Sequence, residues 1–64
     1  MVEAALKFFS FEFAHHKGAE LAIYGQTNGR VVVAVEKDGK QIAGRRVASY
    51  IPNHGWSFVR ECYA

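Results

Sequence analysis

Cysteine occurs once, at Cys62, so no internal disulfide can staple the chain, and a reduced, cytoplasmic protein is expected. Proline is as scarce, with Pro52 alone, and no linker, repeat or low-complexity tract interrupts the sequence. Charge of either sign is thin. Eight Lys and Arg against six Asp and Glu give a formal net charge of +2, well short of the dense cationic stripe of a dedicated nucleic-acid binder. No apolar run approaches the roughly 20 residues of a bilayer-crossing helix, so no membrane role is expected. The opening "MVEAALKFFSFEF" has an early acid, one lysine and no small-residue cleavage site, which argues against a signal peptide.

What is present is a compact apolar vocabulary. Half of the residues are hydrophobic and 14% aromatic, in a chain of 64 that makes one small domain, residues 1–64. The coarse reading is all-β: about five antiparallel strands in a meander, forming a curled sheet or small barrel. The strands fall at Leu6 to His15, Glu20 to Thr27, Arg30 to Lys37, Lys40 to Ile51 and Trp56 to Tyr63. In "KFFSFEF" the alternation of Phe9, Phe11 and Phe13 with Ser10 and Glu12 argues for a strand. A helix at "VEAALKFF" is the local rival, on its Ala and Leu content.

Turn chemistry sets the expected register. Asn28-Gly29 and Asp38-Gly39 are the preferred pairs for two-residue type I′ hairpins. The first sets Thr27 opposite Arg30, Ile23 opposite Ala34 and Tyr24 opposite Val33; the second sets Val35 opposite Ile42 and Val33 opposite Gly44. "HKG" reads as a three-residue loop, and "PNHG" as a four-residue loop placing Ile51 opposite Trp56 and Arg46 opposite Glu61. One face then carries Phe9, Phe11, Phe13, Leu21, Ile23, Val32, Ala34, Ala43, Val47, Ile51, Trp56 and Phe58, the expected core. The other centres on Tyr24, Val33, Val35, Ile42 and Tyr50, too apolar for open water. Its apolar surplus, with Arg46 and Tyr63 beside it, marks a partner-binding surface.

Catalysis finds little footing. His15 and His16 are adjacent and diverge on a strand, and no Cys-x-x-Cys or His-x-x-x-His spacing exists, so no metal site is expected. Cys62 with His54 lacks an orienting third group, and "GQTNGR" opens no helix, as a phosphate-binding loop must. Neither a catalytic residue nor a cofactor is expected.

The run "AIYGQTNGRVVVAVEKDGKQIAGRR", Ala22 to Arg46, resembles the hairpin-rich sheet segment of small phage-encoded anti-CRISPR proteins. The shared features are an Ala-Ile-Tyr strand, an Asn-Gly turn, a Val-rich strand ending in Glu, and a Gly-Lys turn leading to an arginine-bearing strand. The resemblance implies a non-enzymatic inhibitor that occupies a surface of a host defence complex. It transfers no residue roles.

The expectation is therefore a non-enzymatic binding protein, an inhibitor or adaptor. It docks on a protein partner through Tyr24, Val33, Val35, Ile42, Arg46, Tyr50 and Tyr63 or through a free strand edge, with a homodimer as one form. The alternative is a small barrel that binds single-stranded nucleic acid through the same tyrosines and Arg46.

Overall fold

The computed structural model describes residues 1–25 and 29–61. It is mostly an antiparallel sheet of five strands, preceded by two short helices and not closed into a barrel. Helix α1 spans Val2–Phe8 and α2 spans Ser10–His15. Strands β1 to β5 follow at Glu20–Gly25, Val31–Lys37, Lys40–Gln41, Arg46–Ile51 and Gly55–Arg60.

The expected first strand, Leu6 to His15, is helical. Met1, Ala5, Phe9 and Phe13 recur every fourth residue, so on a helix they form one stripe. The hydrogen bonds follow that stripe. Ala5 N–H donates to the Met1 carbonyl (3.0 Å), Phe9 to Ala5 (2.9 Å) and Phe13 to Phe9 (3.1 Å), carrying the helical ladder past the bend at Phe9. Phe9 and Phe13 satisfy a period of two and a period of four alike. Phe11 separates the readings, and it is 66% exposed. The good helix formers of "VEAALK" tip the balance.

The sheet runs in the order β1-β2-β4-β5, with β3 also paired to β2. Strands β3 and β4 lie end to end along one side of β2, so the expected fourth strand is broken at residues 42–45. At the Asp38-Gly39 turn φ is 53° and 78°, as a type I′ hairpin requires, and Glu36 faces Gln41 in the expected register. Beyond the break Val33 meets Arg46 instead of Gly44, a shift of two residues that leaves every side chain on its face.

The other two hairpins slip by one, and that exchanges faces. Ile23 pairs with Val33, and Tyr24 with Val32. Asn28 of the expected Asn-Gly turn lies outside the described residues. Ile51 pairs with Gly55, because the His54 N–H closes onto the Ile51 carbonyl (3.0 Å) around Pro52 and Asn53, whose φ is 68°. Proline followed by a left-handed residue is the signature of a type II turn.

Val31 to Val35 is thus covered from both sides. Val33 and Val35 are fully buried under Phe9, with Phe13, Leu21, Ile42 and Phe58 around them. On the opposite face Val32 and Ala34 are equally buried, and Val32 is flanked by its cross-strand neighbours Tyr24 and Val47. The expected core held for Phe9, Val32 and Ala34, split between two faces. It failed for Phe11, Ile23, Ile51 and Trp56, which are exposed.

Candidate docking surface

Strand β5 is one edge of the sheet. The Glu61 N–H donates to the Arg45 carbonyl at 3.0 Å, which fixes the phase of the β4–β5 ladder. Hydrogen-bonded pairs alternate along an antiparallel ladder, so Val47–Val59 and Ser49–Ser57 bond to each other, while Arg46–Arg60, Ala48–Phe58 and Tyr50–Trp56 do not. The N–H and C=O groups of Trp56, Phe58 and Arg60 therefore point outward along the edge.

Large apolar side chains line that edge. Tyr50 is 62% exposed and Trp56 38%, their rings in edge contact with centroids 5.4 Å apart. Val59, 58% exposed, and Ile51 project from the other face of the same hairpin. On the helix side the exposed Phe8 ring tilts against Phe58 at 5.1 Å. Edge strands are usually blunted by charge, proline or bulges; between Gly55 and Arg60 only Arg60 serves that purpose.

Arginines gather at the far end of this hairpin. Arg46 and Arg60 face each other across strands. Arg46 donates from Nη1 to the Gly44 carbonyl at 2.7 Å, and its guanidinium carbon lies 5.7 Å from the centre of the Phe8 ring. A cavity of about 330 Å³ opens beside them, lined by Gln41, Gly44, Arg45, Arg60 and Glu61. Arg45 reaches the opposite face. There its Nε approaches Glu61 Oε2 to 3.2 Å and its guanidinium covers the Tyr24 ring, while the Tyr24 hydroxyl donates to Glu36.

The expected partner-binding residues are thereby redistributed. Val33 and Val35 are core residues sealed by Phe9 and can present nothing to a partner. Ile42 is partly buried against the same cluster. Tyr24 lies on the opposite face from Val33 and is tied to Glu36. Arg46 and Tyr50 do share one face of β4, and Tyr63 lies outside the described residues. The expected Arg46–Glu61 pair is replaced by Arg45–Glu61, because the last hairpin is one residue tighter. Sequence reasoning put Trp56 in the core, and it did not name Val59, Arg60 or Phe8 as partner-binding residues. A signal for the first three was available in Pro52-Asn53, which favours the tighter turn and turns Trp56 away from the expected core.

His15 stacks on Phe11 at 4.0 Å and its Nδ1 lies 2.9 Å from the Phe11 carbonyl, while His54 stands exposed in the last turn. Among the described residues no three His, Cys, Asp or Glu side chains converge as metal ligands, and no helix is long and apolar enough to cross a membrane. Comparison with protein-family models, curated proteins and solved structures returns no match.

Proposed function

We propose that this chain is a non-enzymatic binding protein, an inhibitor or adaptor of cytoplasmic targets, that docks on a protein partner by extending its sheet at β5. The observation that carries this reading is the exposed Tyr50–Trp56 pair beside an outward row of backbone donors and acceptors. Strand addition draws affinity from main-chain hydrogen bonds and specificity from flanking side chains. Tyr and Trp are the residue types that most often anchor an interface. In its described residues the anti-CRISPR-like segment, Ala22 to Arg46, runs from β1 through β2 and β3 to the first residue of β4, and supplies the scaffold for this edge. A partner in a host defence complex is the form of the proposal that this resemblance favours.

The test pairs Trp56→Ser with Val59→Lys, both on exposed positions. Affinity capture from host lysate, quantified against the wild-type chain, should lose a defined partner with each folded variant. Retention of every captured protein by both would overturn the assignment.

A second reading follows from Arg46 and Arg60 lying on the same face as Tyr50 and Trp56, a combination suited to stacking bases and holding phosphates. On this reading the sheet binds single strands without being a barrel. Oligonucleotide affinity that falls steeply with salt, and falls again in Arg46→Ala, would favour it over protein docking.

A further inference from the structure

We infer that, with no target on it, the β5 edge is occupied by a second copy of this chain, paired antiparallel about a two-fold axis at Phe58. The inference rests on the reading of β5 as a docking edge and names the chain that fills it. The outward residues of β5 are Trp56, Phe58 and Arg60. An added strand must bond through these, since only their N–H and C=O groups face it. Sliding β5 along an antiparallel copy of itself leaves few registers. With the axis at Phe58, Trp56 pairs with Arg60 of the other copy, Phe58 with Phe58, and Arg60 with Trp56, so every outward residue is matched within the strand. Moving the axis to Ser57 or Val59 sets Arg60 or Trp56 opposite a residue beyond the end of β5. Moving it to Arg60 sets like charge on like.

The side chains agree with the same register. Residues paired across a ladder share a face, so a row on the helix side reads Arg46, Arg60, then Trp56 and Tyr50 of the second copy. Symmetry repeats that row in reverse, as a self-complementary interface requires. The one charged residue of the strand thus meets an aromatic face and not its own kind. Backbone pairing sets this neighbour whatever else the Arg60 side chain touches. Between the two rows the Phe58 residues, each against its own Phe8, meet at the axis. Area points the same way. A folded monomer of 7.2 kDa exposes about 4,100 Å², and this chain exposes 4724 Å². The excess, about 600 Å², is one side of the smallest stable interfaces. The opposite edge is poorer: among the described residues of β1 only Ile23 is an exposed large hydrophobic, and the strand ends on Gly25.

The test is sedimentation velocity of the intact chain over a concentration series, with circular dichroism as the check of folding. A monomer–dimer equilibrium is expected, and the dilute monomer is the free chain. Trp56→Lys, which sets a lysine opposite Arg60 at both ends of the pairing, should weaken the dimer roughly tenfold or more. Adding Arg60→Glu makes both pairs opposite in charge and should restore association. Within each chain that change also relieves the facing Arg46–Arg60 pair, so the double variant is expected to fold. Trp56→Glu, matched to Arg60, should dimerise more tightly than Trp56→Lys, and this comparison stands if the double variant fails to fold. A chain monomeric at every concentration, or a dimer indifferent to these charge changes, would overturn the inference. Docking on a target fails separately: a dimer that forms as described, with no captured partner lost in Trp56→Ser, would remove the target and keep the second copy.

Discussion

The guanidinium carbon of Arg45 lies 4.6 Å from the centre of the Tyr24 ring, a cation stacked on the face opposite the helices. Its Nε faces Glu61 at 3.2 Å without the alignment of a hydrogen bond, so the contact is one of charge more than of direction. On this face, where Val32 and Ala34 are buried, the helices provide no cover, and the polar layer of Tyr24, Glu36, Arg45 and Glu61 lies across it. Long side chains protect apolar surface with their stems as well as with their charges. Arg45→Ala is therefore expected to destabilise the fold by about 1–2 kcal/mol through the lost cation–π contact and stem packing together. Arg45→Lys should recover part of it. Urea midpoints of the three proteins check this, and an unchanged midpoint in Arg45→Ala would show the layer to be decorative.

The helical arm gives a sharper contrast. Phe9 is 1% exposed and Phe11 66%. Phe9→Ala should cost about 3–5 kcal/mol, most of what so small a domain has to spare. Phe11→Ala should change stability by no more than about 0.5 kcal/mol. Thermal unfolding followed by circular dichroism distinguishes the two. Equal losses would restore the reading of residues 6–15 as a strand with its phenylalanines on one side.

That misreading shows what was legible and what was not. The Asp38-Gly39 hairpin could be read to the residue, because two left-handed positions in succession allow one turn type and hence one register. The antiparallel sheet of five strands was also legible, although its fifth strand arises by division of the expected fourth and not from residues 6–15. The aromatic run was ambiguous because Phe9 and Phe13 lie on a common face in both helix and strand. Register was fragile wherever loop length rested on one residue. Gly25 pairs with Val31, an even separation, whereas a two-residue turn in a continuous ladder produces only odd ones, and Tyr24 changes face as a result. Arg46 and Tyr50 stayed together because they lie two steps apart twice over on one strand, whatever pairs with them.

Glycine substitutions separate conformational need from chain entropy. Gly39 sits at φ 78° with open space around it, so Gly39→Ala meets no clash and still should lose about 1 kcal/mol to strain. Gly25 also has open space, but its φ is ordinary and it ends a strand, so Gly25→Ala should gain about 0.4–1 kcal/mol by restricting the unfolded chain. Chemical denaturation of both variants against the parent gives the two signs. A gain at Gly39 would contradict the type I′ turn.

Strand β5 offers the last prediction, and the ladder phase makes it specific to single amides. Ser57 and Val59 bond inward to Ser49 and Val47, whereas the N–H groups of Trp56, Phe58 and Arg60 face outward. In the free chain the first pair should exchange slowly with deuterium and the outward three at close to solvent rates. If a partner extends the sheet at this edge, the order changes at those three positions: Trp56, Phe58 and Arg60 become protected together, while Ser57 and Val59 move little. Docking by side chains alone would shield Trp56 and Tyr50 without that alternating pattern. Residue-resolved exchange of the free and bound chain thus separates sheet extension from face-on contact, and uniform protection along β5 would rule out the edge geometry.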